Sequence, residues 1–149
     1  MLFDDISEGI KEAMKAKDAV RRDTLRNVKK VFLEAKTAPG ANDELSDADA
    51  LKILQKLAKQ GRESAEIFNQ QGRADLADAE MAQVKVLEEY LPKQLSEDEL
   101  EGALRSIIEQ LGVKEPREMG KVMGVATKQL AGKADGRAIS AMVKKILAQ

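Results

Sequence analysis

Apolar residues recur three and four positions apart along nearly the whole chain, and no segment alternates apolar and polar residues as a β-strand would. This period is typical of amphipathic helices that each bury one stripe. The stripes and their flanking capping residues predict seven helices, with approximate bounds 3–16, 18–36, 46–71, 74–90, 96–112, 116–132 and 135–147. The pattern therefore predicts an all-α protein.

Glycine and proline residues divide these helices into two groups. Gly72 alone separates the third helix from the fourth, so we expect a long antiparallel helical hairpin there. Pro92 stops the chain shortly before Ser96 and Glu99, which have the spacing of a capping box. We therefore predict an N-terminal helical domain over residues 1–92, which contains the hairpin, and a small C-terminal three-helix bundle over residues 93–149.

The composition removes most familiar catalytic chemistry. The 149 residues include no Cys and no His, so thiolate ligands, thiol nucleophiles and imidazole bases are all missing. We accordingly expect no metal, no cofactor and no catalytic residue. No apolar run approaches the roughly 20 residues that span a bilayer, and acids stand where a signal peptide carries its positive region. We therefore expect a cytoplasmic protein without a membrane partner.

The net charge of −1 hides a segregation of charge along the chain. Residues 11–36 carry nine basic and four acidic side chains, whereas residues 37–113 carry eight and sixteen. Residues 114–149 are basic again, with eight basic and three acidic side chains. A local basic surface that faces a polyanion fits this distribution, although the low pI of 5.7 disfavours indiscriminate binding to nucleic acid.

Two glycines interrupt the sixth predicted helix, in the stretch MGKVMGVATKQLAGKADGR. The spacing of a phosphate-binding P-loop is absent, and so is the strand that would precede it. Gly120 and Gly124 each cost a helix interior about 1 kcal/mol relative to alanine, so some other interaction should offset them. Two explanations stay open: close packing against a neighbouring helix, or a bare backbone patch that a sugar-phosphate chain approaches.

Basic residues surround these glycines. Lys121 and Lys128 lie seven residues apart, on the helix face opposite Met119 and Met123. Arg137 and Lys144 share a face of the seventh predicted helix, and Lys133 lies in the turn before it. Together they can contact phosphates, which fixes position without reading sequence, although such faces are more often merely solvated.

A second basic face has a clearer period. Its residues recur at i, i+4, i+7 and i+8 in the second predicted helix: Arg22, Arg26, Lys29 and Lys30. The chain has only three Phe and one Tyr, so stacking on splayed bases is disfavoured. If nucleic acid binds, its shape and backbone are read, which suits structured RNA.

Four segments in order closely resemble the YqeY family: AMKAKDAVRRDTLRNV, ESAEIFNQQGRADLADAE, VLEEYLPKQLSEDEL and MGKVMG with GKADGRAIS. The C-terminal part of that family is similar to the tail domain of the B subunit of glutamyl/aspartyl-tRNA amidotransferase. The resemblance implies an N-terminal helical domain, a C-terminal bundle and a connection with tRNA. The positions that match are Gly120, Lys121, Gly124, Lys133, Asp135, Gly136 and Arg137. The sequence departs from the family pattern at Gly61, where Arg is common, and at Gln129 and Ala131, where lysines are common.

Three functions are compatible with these features. The first is binding of tRNA or another structured RNA through shape and backbone contacts, without catalysis. The second is a protein-interaction module that uses the acidic hairpin over residues 46–91. The third is a subunit that contributes to carbon–nitrogen ligase activity with glutamine as amide donor, which the resemblance implies although the chain lacks the catalytic regions of the amidotransferase. The first is our leading interpretation.

Overall fold

The computed structural model describes all 149 residues, and every regular element in it is helical. The prediction of an all-α protein is confirmed. The α-helices are α1 (Leu2–Ala16), α2 (Ala19–Lys36), α3 (Asp47–Gln70), α4 (Ala74–Glu88), α5 (Glu97–Leu111), α6 (Met119–Gln129) and α7 (Gly136–Leu147). None of them combines the length and apolar character needed to cross a membrane.

The chain divides into two compact units, which we call unit 1 (Met1–Leu91) and unit 2 (Pro92–Gln149). That residues 1–92 and 93–149 form separate domains stays a prediction.

Unit 1 contains α1 to α4, whose apolar stripes share one core. The most deeply buried side chains of this core are Ile6, Leu25, Val28, Phe32, Leu54 and Val84. The backbone N–H of Leu2 donates to the carboxylate of Asp47 at 3.0 Å, so the first turn of α1 is capped by α3. Long-range capping of this kind fixes the start of α1 against α3.

The pair of helices α3 and α4 approaches closely at a glycine. A Cβ atom placed on Gly61 would lie 2.6 Å from Cγ2 of Val84. Arg62 and Glu88 add an ion pair across the same two helices at 3.2 Å. Gly72 adopts a φ of 73° between them, which a residue with a side chain rarely adopts.

The end of α4 is held to α2 by a two-pronged ion pair. Arg21 Nη1 and Nη2 donate to the two carboxylate oxygens of Glu89 at 2.5 and 2.8 Å. This hydrogen bonding lowers the pKa of Glu89. Burial raises the pKa of the neighbouring Tyr90, whose ring packs against Gly9 of α1.

Unit 2 contains α5, α6 and α7 around a second core. Its most deeply buried residues are Leu104, Val122, Ala126, Ile139 and Val143. The capping box at the start of α5 is complete, because Ser96 Oγ accepts from the Glu99 N–H and the Glu99 carboxylate accepts from the Ser96 N–H. The Leu95 N–H donates to the Lys133 carbonyl at 2.9 Å, which ties the start of α5 to the turn before α7.

The bounds of α6 differ from the prediction of 116–132. Pro116–Glu118 form a 3₁₀ turn, and the α-helix begins only at Met119. It ends at Gln129, whereas Gly132 lies in the following turn with a φ of 77°. Pro116 and Gly132 mark the ends of the irregular segments that flank the helix rather than the ends of the helix itself.

Candidate nucleic-acid interface

One face of α6 consists of solvent-exposed glycines and lysines. Val122 and Ala126 are buried in the core of unit 2 on the opposite face. The exposed face carries the four α6 residues that the sequence singled out: Gly120, Lys121, Gly124 and Lys128. The structure therefore brings these four together on one stripe.

Neither glycine of this stripe is required by the fold of the chain. Gly120 and Gly124 do not have positive φ values, so their backbone conformation is open to any residue. A Cβ atom added to either one would meet no heavy atom within 4 Å. Close packing inside this chain therefore does not explain either glycine, and Gly102 in the middle of α5 is equally open.

The start of α7 supplies the other residues that match the family motif. The half-buried Asp135 caps the helix, because its carboxylate accepts from the Ala138 N–H at 2.7 Å. Gly136 is the first residue of α7 and is open to solvent on its side-chain side. Arg137 and Lys144 are exposed seven residues apart, about 10 Å along the helix axis. Asp135 thus has a structural role in capping, whereas Arg137 and Lys144 are available to a ligand.

The basic residues of this surface have no carboxylate partner. The five cations form no ion pair: Lys121, Lys128, Lys133, Arg137 and Lys144. Elsewhere in unit 2, Arg105 pairs with Glu101 and Arg117 with Glu115. We use the name glycine–lysine surface for two exposed groups on neighbouring elements of unit 2: the stripe on α6, and Lys133, Gly136, Arg137 and Lys144 in α7 and the turn before it.

Beside this surface lies a groove that the sequence analysis missed. It encloses about 430 Å³ between the start of α5 and α7. Its walls are mostly apolar, and Lys133, Lys145 and Glu97 lie at its edge. The exposed Ala138 and Ala141 leave room for it, and their spacing on the outer face of α7 was the signal in the sequence.

The second basic face is less uniform than its period suggests. Arg22 pairs with Asp23 at 2.9 Å, and this hydrogen bond lowers the pKa of Asp23. Lys29 lies over the ring of Phe3, 5.9 Å from the ring centroid. Arg26 and Lys30 are exposed. Arg26 also contacts the sulfur of Met14, so three of the four residues contact side chains that the helical period does not specify, and the four lie in different electrostatic environments.

These features define an all-helical protein with an unpaired basic surface on its C-terminal unit. The sequence matches the model of the YqeY family, described as Yqey-like protein, over residues 3–147. The chain therefore belongs to the YqeY family.

Fungal proteins are among its relatives. A protein of Kluyveromyces lactis named Altered inheritance of mitochondria protein 41, mitochondrial, is 28% identical over 142 residues, which cover 93% of this chain and 72% of that protein. A protein of the same name from Pyrenophora tritici-repentis is 28% identical over 143 residues, covering 93% and 76%. The one from Meyerozyma guilliermondii is 30% identical over 123 residues, covering 80% and 64%.

The prediction of a cytoplasmic location is wrong by this comparison. These relatives are all named as mitochondrial proteins. The prediction failed because composition, hydropathy and the N-terminal charges test only for disulfide chemistry, a membrane span and a secretory signal. None of these properties distinguishes one aqueous compartment from another.

Proposed function

We propose that unit 2 binds structured RNA, with tRNA as the leading candidate, through the glycine–lysine surface and without chemistry of its own. The observation that carries this proposal is the exposure of Gly120 and Gly124. Each glycine costs α6 up to about 1 kcal/mol relative to alanine, and neither packing nor backbone conformation offsets that cost within the chain. A ligand that lies against the bare helix supplies the missing benefit.

The neighbouring cations favour a phosphate backbone as that ligand. Lys121 and Lys128 flank Gly124, and they lie about 10 Å apart along the axis of α6. At this spacing the two lysines can contact separate phosphates of one chain, so an extended polyanion can use both cations at once. Contacts of this kind position a nucleic acid but do not read its bases.

The absence of aromatic side chains from unit 2 favours recognition by shape. All three Phe and the single Tyr precede residue 92. Unit 2 thus lacks the rings on which single-stranded bases usually stack. A folded RNA that offers backbone and 2′-hydroxyl groups is the better match, and the resemblance of this region to the amidotransferase tail domain supports tRNA in particular.

The test is binding of the full chain to total tRNA across a salt series, with a non-tRNA duplex as competitor. The variant Lys121→Glu/Lys133→Glu/Arg137→Glu removes three phosphate contacts, so the slope of log affinity against log salt should flatten by roughly 2. The matched control is Lys52→Glu/Lys56→Glu/Lys85→Glu, which reverses the charge of three exposed lysines of unit 1. It changes the net charge by the same amount as the first variant.

The control variant should retain the wild-type slope. Equal losses in the two triple variants would mean that only net charge matters and would remove the proposed surface. Absence of tRNA binding at low salt would overturn the function itself.

A further inference from the structure

One side of the α1–α2 pair carries cations that contact apolar side chains instead of carboxylates. The ammonium groups of Lys29 and Lys36 lie 5.9 and 4.4 Å from the centroid of the Phe3 ring. Arg26 Nη2 lies 3.7 Å from the sulfur of Met14. Contacts with a ring or a thioether do not neutralise these cations. Carboxylates also lie nearby: Glu34 lines the same depression as Lys30, and Asp4, Asp43 and Glu44 line the pocket beside Lys36.

Exposed apolar side chains lie among these cations. Met14 is 53% exposed and Leu33 is 43% exposed. Leu33 also lines a shallow depression of about 550 Å³ whose other lining residues are Arg26, Lys29, Lys30, Glu34 and Thr37. We define the α1–α2 cationic face by six residues: Met14, Arg26, Lys29, Lys30, Leu33 and Lys36.

We propose that the α1–α2 cationic face docks onto the surface of an anionic lipid bilayer. Four cations on one face provide attraction to anionic headgroups, and clusters of this size are typical of segments that bind such lipids. Met14 and Leu33 add apolar groups that can enter the boundary between headgroups and acyl chains. The lysine stems can lie along the same apolar layer while their ammonium groups stay at the headgroups.

Other occupants fit this face less well. A second copy of the same face is disfavoured, because four like charges would meet four like charges. An RNA would use the cations, but it would leave Met14 and Leu33 without apolar contact. A partner helix that binds by its apolar residues needs a groove, whereas the depression beside Leu33 is shallow.

This inference departs from our expectation that the protein has no membrane partner. It concerns contact with a surface and requires no spanning helix. It is also independent of the proposed RNA function, because the residues involved belong to unit 1.

The test is co-sedimentation of the full chain with vesicles of phosphatidylcholine, either alone or mixed with phosphatidylglycerol. We expect binding only to the mixed vesicles and a loss of binding at high salt. The variant Arg26→Gln/Lys30→Gln should bind about thirtyfold more weakly, since each of the two basic residues near such a surface contributes on the order of 1 kcal/mol.

The apolar contribution has a matched control in the same unit. Met14→Gln/Leu33→Gln should weaken vesicle binding about fivefold, because two side chains can no longer enter the apolar layer. The control is Ile67→Gln/Met81→Gln on α3 and α4. Ile67 and Met81 are 53% and 42% exposed, which matches the exposure of Met14 and Leu33. Circular dichroism should be unchanged in both pairs.

The outcomes separate this inference from the RNA proposal. Vesicle binding that survives Lys121→Glu/Lys133→Glu/Arg137→Glu but falls with Met14→Gln/Leu33→Gln supports the bilayer. No binding to anionic vesicles at low salt would overturn it. Equal losses in the two apolar pairs would also overturn it, as would a variant Arg26→Gln/Lys30→Gln that loses tRNA affinity but keeps vesicle binding.

Discussion

The helix glycines of the two units differ in what occupies the space beside them. In unit 1, Gly9 and Gly61 are packed, and an added Cβ would overlap Tyr90 at the first and Val84 at the second. In unit 2, Gly120 and Gly124 face open space. In unit 1 the missing side chain of these glycines therefore leaves space for a neighbouring residue. In unit 2 no residue of the chain fills the space beside Gly120 or Gly124.

This difference indicates where the cost of a glycine is recovered. A helix glycine loses up to about 1 kcal/mol relative to alanine in either unit. In unit 1 the neighbouring side chains gain buried contacts that offset the loss. In unit 2 no neighbouring side chain offsets the loss at Gly120 or Gly124, so substitution by alanine should have opposite effects on the stability of the two units.

The largest effect should follow alanine substitution in unit 1. A Cβ on Gly9 would overlap Tyr90 Oη and lie 2.9 Å from Cδ1 of the fully buried Leu25. Overpacking typically costs 1–3 kcal/mol, so Gly9→Ala should lower the free energy of unfolding of unit 1 by about 2 kcal/mol. Hydrogen exchange of amides in α1 and α2 measures this. Slower exchange in the variant would show that the space beside Gly9 can accommodate a methyl group.

The second effect has the opposite sign. The double variant Gly120→Ala/Gly124→Ala gains helix propensity and meets no neighbour, so unit 2 should gain about 1 kcal/mol. Gly120 contributes the smaller part, because it lies in the first turn of α6. Exchange of amides in α6 should slow, while amides of unit 1 stay unchanged as an internal control. A destabilised unit 2 would indicate packing that the structure does not contain.

Loss of a helix cap should destabilise both units. Alanine substitution of the helix glycines, by contrast, should destabilise unit 1 and stabilise unit 2. Ser96→Ala removes the capping box of α5, and we expect a loss of about 1 kcal/mol from unit 2. Ser46→Ala removes the single cap of α3, where Ser46 Oγ accepts from the Asp49 N–H at 3.1 Å. Its cost should be about half as large. Chemical denaturation, monitored by hydrogen exchange of the amides in each unit, measures both losses.

The smallest effect concerns the ion pair of unit 1. Arg21 lowers the pKa of Glu89 in the folded state below its ordinary 4.5, so the pair stabilises the fold above that pH and ceases to do so as Glu89 is protonated. Because both side chains are partly exposed, Glu89→Gln should cost only about 0.5 kcal/mol at neutral pH. The difference between wild type and variant should vanish as the pH falls through the folded-state pKa. A difference that persists in acid would assign the cost to lost packing.

Helical periodicity was sufficient to predict the fold class. In α7 the buried residues recur at the three- and four-residue spacing of an apolar stripe: Ile139, Met142, Val143, Ile146 and Leu147. A stripe is a local property, because it depends only on the 3.6-residue period. The ends of α6 were less predictable, since Pro116 and Gly132 are as compatible with a 3₁₀ turn and a loop as with helix termini.

The environment of each site residue could not be predicted in the same way. Whether Gly61 or Gly124 packs against a neighbour depends on which helices meet, and spacing along one helix does not specify that. The interaction of Lys29 likewise depends on Phe3, which lies on another helix. Sequence therefore predicted the candidate residues of the glycine–lysine surface, whereas only the structure distinguished its open glycines from the packed ones of unit 1.

The central claim is that Gly120 and Gly124 serve a ligand outside the chain. The most direct test is the tRNA affinity of Gly120→Ala/Gly124→Ala, measured beside its stability. We predict that the tRNA affinity of this variant falls about tenfold, a loss of about 1.4 kcal/mol in binding, while unit 2 becomes more stable. Wild-type affinity in a stabilised variant would contradict the claim, because it would show that the bare backbone is not where RNA binds.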